Sequence, residues 1–195
     1  GCIWRNETLR ATHEPFLFFF CLMIMATLLN IILVLFFSLE MTEQQPKQRF
    51  PRIEAETLSG KQIVFPDVTE GKFAFLLIAF KRQTQGEVDS WLDPFMEEFG
   101  GHHEVTFYEI PMISNNWKWM SGWIDAGMRA GVPANKHDHV ATYYGPLKRY
   151  FDYFDIDDRG TVYVFLLDKE GRMIFSASGL PEKHNFEALR KVLNE

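Results

Sequence analysis

Eight consecutive apolar residues, FAFLLIAF from Phe73 to Phe80, are followed by a polar turn and then by a helical pattern. A short apolar run bounded by polar residues suits a central strand buried on both faces. After the turn Lys81–Gly86, the residues Val88, Trp91, Leu92, Phe95 and Phe99 recur at three- and four-residue spacing, with Asp89, Asp93, Glu97 and Glu98 between them. That is an amphipathic helix, and Gly100-Gly101 is a fitting stop. Pro94 inside it predicts a kink or a restarted turn. EVTFYEIP, from Glu104 to Pro111, alternates and ends at a proline, which reads as a second strand.

The flanking segments extend this β-α-β unit. RIEAETLSGKQIVFPD alternates around Ser59-Gly60-Lys61 and reads as a hairpin. SNNWKWMSGWIDAGMRAG opens on the capping residues Ser114 to Asn116 and reads as a helix. VPANKHDHVATYY reads as loop. GPLKRYFDYFDI places Leu147, Tyr150, Phe151 and Phe154 on one side of a further helix, with Pro146 in its first turn. TVYVFLLDKEGRMIFSASG gives two strands joined at Lys169-Glu170-Gly171, and Phe186, Leu189, Val192 and Leu193 mark a closing helix. A hairpin, then β-α-β, then helices, then β-β-α is a thioredoxin-like order, an α/β mixed sheet flanked by helices.

Upstream, Phe16–Leu39 carries no charge over 24 residues. As a helix it would span about 36 Å, against about 30 Å of bilayer hydrocarbon. The expected organisation is an N-terminal flank at 1–15, a transmembrane helix at 16–39, a linker at 40–51 and the thioredoxin-like domain at 52–195. From Met41 onward 18 Lys/Arg face 23 Asp/Glu, and no basic block appears. Nucleic acid is therefore not an expected partner, because phosphate contacts need clustered cations. The aromatic-rich core (19 Phe, 6 Tyr, 5 Trp) is adequate without disulfides or metals.

A thiol enzyme on this fold needs a thiolate at the helix N-terminus, where the dipole and free N–H groups lower its pKa. That place is the turn Lys81–Gly86, and it holds no sulfur. The chain's two cysteines, Cys2 and Cys21, lie in or before the apolar run. Thr84 is no substitute, since a hydroxyl does not cycle through sulfenic acid or disulfide. The proline that thiol enzymes of this fold place opposite the cysteines is replaced by Val162. No cofactor is expected. His137 and His139 are weak metal candidates, since zinc needs three or four convergent ligands. Trp117, Trp119 and Trp123 fall within seven residues; Trp119 and Trp123 share a helix face while Trp117 points elsewhere. Each singly suits a core, but both faces cannot easily be core, so at least one Trp should meet solvent or a partner.

Several of these stretches resemble a known family. Gln85, Gly86, Asp89-Ser90-Trp91 and Pro94-Phe95, then Tyr163 to Asp168, Gly171-Arg172 and Ala177-Ser178-Gly179, look like the mitochondrial ATP synthase assembly factor family called "ATP-ten", over about Lys72 to Asn194. Ile174-Phe175 departs from it, because the family commonly has a Trp after the Gly-Arg turn. The resemblance implies a non-catalytic thioredoxin-like module that binds a nascent membrane subunit, and the apolar run Phe16–Leu39, which is not a feature carried over from the family, makes it a membrane-tethered assembly or chaperone factor. Its partner would be a membrane protein such as an ATP synthase subunit, met through Lys81, Arg82, Gln85, Trp91, Trp117, Trp119 and Trp123. It implies the mitochondrial inner membrane; a bacterial relative would sit in the bacterial inner membrane. The alternative is a peroxiredoxin-like or thiol–disulfide oxidoreductase relative with a degenerate site.

Overall fold

The computed structural model describes residues 48–194. The expected transmembrane helix at 16–39, the linker up to residue 47, and Cys2 and Cys21 lie outside the described residues. Among the described residues no helix is long and apolar enough to cross a membrane.

Seven strands form one sheet in the order β2-β1-β5-β4-β3-β6-β7. The leading hairpin is β1 (Ile53–Thr57) and β2 (Gln62–Phe65), turned at Gly60 with φ of +90°. That φ is open to glycine and strained for other residues. The apolar run forms β3 (Phe73–Ala79) in the interior of the sheet, pairing parallel to β4 (Val105–Ser114) and antiparallel to β6 (Tyr163–Leu167). As expected, β3 is buried on both faces. Leu76 and Ile78 join one core with Phe50, Ile53 and Phe65 of the N-terminal segment, whereas Phe75 and Leu77 join another with Trp91, Phe95 and Leu189. The alternation of strand side chains alone divides the molecule into these two layers.

Helix α1 (Gln85–Phe99) carries the second core, with Val88, Trp91, Leu92, Phe95 and Phe99 all buried. Phe95 stacks flat on Phe75 at 3.9 Å between centroids. Of the kink or restarted turn expected at Pro94, the restarted turn does not occur, and α1 runs through the proline. Pro94 is exposed while its neighbours Leu92 and Phe95 are buried. Burial on the opposite side therefore outweighs the hydrogen bond that a proline cannot donate. Strand β4 also outruns its expected end at Pro111. Pro111 is the last residue paired with β3, and from Met112 the strand pairs with β5 (Ala141–Gly145) instead. The residue without an N–H falls where β4 changes partner.

β5 begins within VPANKHDHVATYY, where the sequence pattern predicts a loop. It is five residues long and pairs parallel to Met112–Ser114 and antiparallel to Glu56–Thr57. It thereby joins the hairpin to the rest of the sheet. Helix α2 (Ser121–Gly131), preceded by a 3-10 helix at Asn115–Met120, makes the crossover from β4 to β5. Helix α3 (Lys148–Phe154) packs Tyr150 and Phe154 on the first core. Strands β6 and β7 (Met173–Ser178) and helix α4 (Lys183–Leu193) close the domain.

Candidate functional site

The turn Lys81–Gly86 lies where β3 ends and α1 begins, outside the carboxyl ends of parallel strands, where open α/β sheets bind ligands. Lys81 is extended and its carbonyl accepts twice, from the Thr84 hydroxyl at 2.7 Å and the Thr84 N–H at 3.1 Å. Thr84 is buried, so its hydroxyl is committed to holding the turn. Lys81, Arg82 and Gln85 are exposed on that turn. The Gln85 amide donates to Asp89 Oδ1 at 3.0 Å and, at 3.4 Å, to Glu109 Oε2.

The place opposite the turn, where a thiol enzyme would carry its proline, is also closed off. The Val162 N–H donates to Glu87 Oε2 at 3.0 Å, and the Thr161 hydroxyl donates to the same oxygen at 2.6 Å. The Val162 carbonyl accepts from the Gly179 N–H at 3.0 Å. The backbone at this position thus satisfies itself within the chain through a carboxylate in the first turn of α1, a favourable place for negative charge.

Beside the turn opens a cavity of about 600 Å³. Phe80, Met112 and Leu147 line it from the first core, Trp117, Met120 and Ile124 from the crossover, and Lys81, Arg82 and Arg159 supply charge. Among the described residues none of these three cations forms an ion pair, whereas Arg49, Arg52, Arg172 and Arg190 all do. The Arg159 guanidinium lies 5.7 Å from the centroid of the Phe151 ring. That ring makes an edge contact with Phe80 at 5.2 Å. The core side is therefore well supported.

The crossover side is not. Neither the 3-10 helix nor α2 contains a fully buried residue. Trp117 is 53 %, Trp119 80 % and Trp123 84 % exposed. The sequence reading required at least one exposed Trp; all three are. Ser114 caps the segment as expected, accepting from the Asn116 N–H at 3.5 Å. The Tyr144 hydroxyl of β5 donates to Asp125 Oδ1 at 2.8 Å, and burial together with this carboxylate pushes the phenol well above its usual pKa.

Trp91 is a correction. It was expected at a partner surface, but it is fully buried, its ring lies 5.7 Å from Phe186, and its Nε1–H donates to the Gly179 carbonyl at 2.6 Å. It is a core residue. His137 and His139 do not converge either. His137 Nε2 is 2.9 Å from the Val132 carbonyl, and His139 Nδ1 is 3.0 Å from the Phe107 carbonyl with its ring stacked on Phe107. Among the described residues no cluster of His, Cys, Asp and Glu is placed to hold a metal ion.

Sequence reasoning missed Glu109, which is 7 % exposed on β4. Burial raises its carboxyl pKa, partly offset by Gln85 and Lys136. A charged residue at an inward position of an otherwise apolar alternation, VTFYEIP, was the available signal. The cavity itself was not legible, since Phe80, Met112, Ile124, Leu147 and Arg159 come from five separate segments.

The geometry defines a thioredoxin-like protein. Solved structures similar to this chain include an exposed lipoprotein thioredoxin of Streptococcus pneumoniae, 14% identical, covering 73% of this chain and 99% of that one with a TM-score of 0.51. The thioredoxin domain of a thiol-disulfide oxidoreductase from Bacteroides vulgatus aligns at 16% identity over 76% of this chain and 97% of its own, TM-score 0.52. Copper-bound yeast Sco1 aligns at 15% identity over 77% and 93%, TM-score 0.50. At such identities the likeness establishes the fold alone. No curated protein sequence matches the chain. A family profile described as ATP10 protein matches residues 40–195. The chain belongs to this ATP10 family of ATP synthase assembly proteins.

Proposed function

We propose that this chain is a non-catalytic, membrane-tethered assembly factor that holds a membrane-sector subunit of an F-type ATP synthase before it is incorporated. The observation that carries this reading is the exposure of three tryptophans on one poorly buried crossover, beside a cysteine-free turn. Solvent-facing Trp clusters are uncommon on monomeric surfaces and are enriched where proteins bind partners. The family membership supplies the assembly role, and the uncharged run Phe16–Leu39 supplies the tether. The mitochondrial inner membrane is the compartment this implies.

The absence of catalysis rests on chemistry. The domain from residue 48 onward contains no cysteine, Thr84 is engaged with its own turn, and the Val162 backbone is already bonded. The test is photo-crosslinking from the exposed position 118 in native membranes. ATP synthase membrane subunits should be captured, and capture should fall several-fold in W119A. Finding no such subunit would overturn the reading. Insulin or peroxide reduction surviving in a C2S/C21S double variant would overturn its non-catalytic part.

A further inference from the structure

The cavity beside the turn pairs an apolar interior with uncompensated positive charge, and this happens in a chain whose formal net charge is −6. No Asp or Glu is among its lining residues. Elsewhere on the surface several arginines are met by carboxylates of the same chain, as in Arg190 with Glu98 at 2.6 Å and Arg172 with Asp168 at 2.8 Å, while Arg129 and Arg149 reach a backbone carbonyl and a tyrosine hydroxyl instead. An acidic protein that leaves Lys81, Arg82 and Arg159 without such partners around one cavity is complementary to an incoming anion.

We propose that this cavity binds an apolar peptide segment bearing a carboxylate, the apolar residues against Trp117 and the carboxylate among Lys81, Arg82 and Arg159. The proposal rests on the assembly-factor reading for its choice of a peptide over other anionic amphiphiles. The walls narrow the ligand class on their own. Phe80, Met112 and Leu147 offer no hydrogen bonds to hydroxyl groups, which leaves the Trp117 indole N–H and the Ser114 hydroxyl as the neutral side-chain partners in the wall. A sugar or nucleotide body would lose more hydration against the apolar side than these two groups replace. A carboxylate on an apolar body keeps both ends satisfied, and guanidinium groups suit it geometrically.

The two sides of the cavity have different tasks. The backbone under the cationic side is fixed in advance, because the Lys81 carbonyl accepts from the buried Thr84, and the Arg159 guanidinium lies over Phe151. The Trp117 side belongs to a segment with no fully buried residue, so it can repack around side chains of different shape. The charge is thus recognised strictly and the apolar sequence loosely, which suits a segment that is exposed only before assembly.

The experiment uses the full chain in nanodiscs of zwitterionic lipid, with fluorescent twelve-residue Leu/Phe-rich peptides amidated at the C-terminus. The peptides are identical except for one central Glu, Gln or Lys. The Glu peptide should bind about tenfold more tightly than the Gln peptide, a difference of about 1.4 kcal/mol. The preference should shrink as salt rises. K81Q/R82Q should abolish the preference while leaving Gln-peptide binding unchanged, and K81E/R82E should favour the Lys peptide. Both positions are exposed, so these variants should keep the thermal midpoint of the parent. Equal affinity for the Glu and Gln peptides would overturn the proposal. So would anionic nanodiscs that abolish peptide binding in the parent but not in K81Q/R82Q, because the cations would then serve a lipid phosphate. The assembly reading fails separately. Captured ATP synthase subunits with no Glu preference would leave that reading standing and remove this one. A Glu preference without captured subunits would leave the carboxylate site and remove its assigned client.

Discussion

Two crossovers in this molecule have the same topological task and opposite compositions. Helix α1 carries the chain from β3 to its parallel neighbour β4, and the segment Asn115–Gly131 carries it from β4 to its parallel neighbour β5. The first buries five apolar side chains, Trp91 among them. The second buries none completely and leaves Trp117, Trp119 and Trp123 outside. Burying a large side chain contributes about 1.5–3 kcal/mol of transfer free energy. The first crossover therefore helps to hold the domain together. The second forgoes that stabilisation and keeps its aromatic surface available for something else.

The largest expected effect tests the first half of that contrast. W91A removes a fully buried ring that touches Phe75, Phe175 and Phe186 and leaves the Gly179 carbonyl without its donor. Loss of about 3–5 kcal/mol in denaturant unfolding is expected. A loss below 1 kcal/mol would mean that α1 is no more integral than α2, and the contrast would be gone.

A smaller loss should follow from E87A. Glu87 ties the first turn of α1 to the backbone entering β6, and without it the Val162 N–H loses its acceptor. About 1–3 kcal/mol is expected, the cost of leaving such a group unmade. Hydrogen exchange should speed at Val162 before it speeds in the strand that follows. E87Q keeps one acceptor oxygen and should recover part of the loss.

E109Q should move stability the other way. Burial raises the Glu109 carboxyl above its ordinary value, so the native state holds this proton more tightly than the unfolded chain does. For a raised carboxyl, stability is greatest below the unfolded pKa of 4.5 and falls as pH rises through the folded one. The variant should be more stable than the parent at pH 8, by an amount on the order of 1 kcal/mol, a typical net worth of one buried polar interaction. The advantage should vanish at pH 4. Chemical denaturation at the two pH values checks it, and an advantage that grows as pH falls would contradict the sign.

The same contrast explains what was legible beforehand. α1 was readable because its burial is periodic: Val88, Trp91, Leu92, Phe95 and Phe99 repeat at the helical interval and all go inside. Its one misleading residue, Pro94, misled because local propensity says nothing of the burial that overrides it. Strand β5 was unreadable for the opposite reason. Ala141–Gly145 is short, follows two histidines, and is a strand because Met112–Ser114 and Glu56–Thr57 flank it. The site divided in the same way. Lys81 and Arg82 could be named because they occupy the turn where a thiolate is missing. Arg159 could not, because only the fold brings it to them. Trp91 and Trp119 are the same residue type on similar helical patterns, and distinguishing them required knowing which face had a sheet behind it.

The smallest expected change in stability belongs to W119S/W123S, and its smallness is the decisive part. The two rings, one on the 3-10 helix and one on α2, are 80 % and 84 % exposed, whereas Met120, Ile124 and Met128 of the same crossover are half-buried. Removing them takes no contact from the core, so unfolding free energy should stay within about 0.5 kcal/mol of the parent. Client capture should nonetheless fall several-fold, as anchor residues of an interface would require. A stability loss of 2 kcal/mol or more would show that the rings pack in solution against something within the chain, and the second crossover would then resemble the first. Unchanged stability with unchanged capture would leave the two crossovers different in packing but not in purpose. Unchanged stability with lost capture is the outcome in which the same connection serves the fold in one place and the partner in the other.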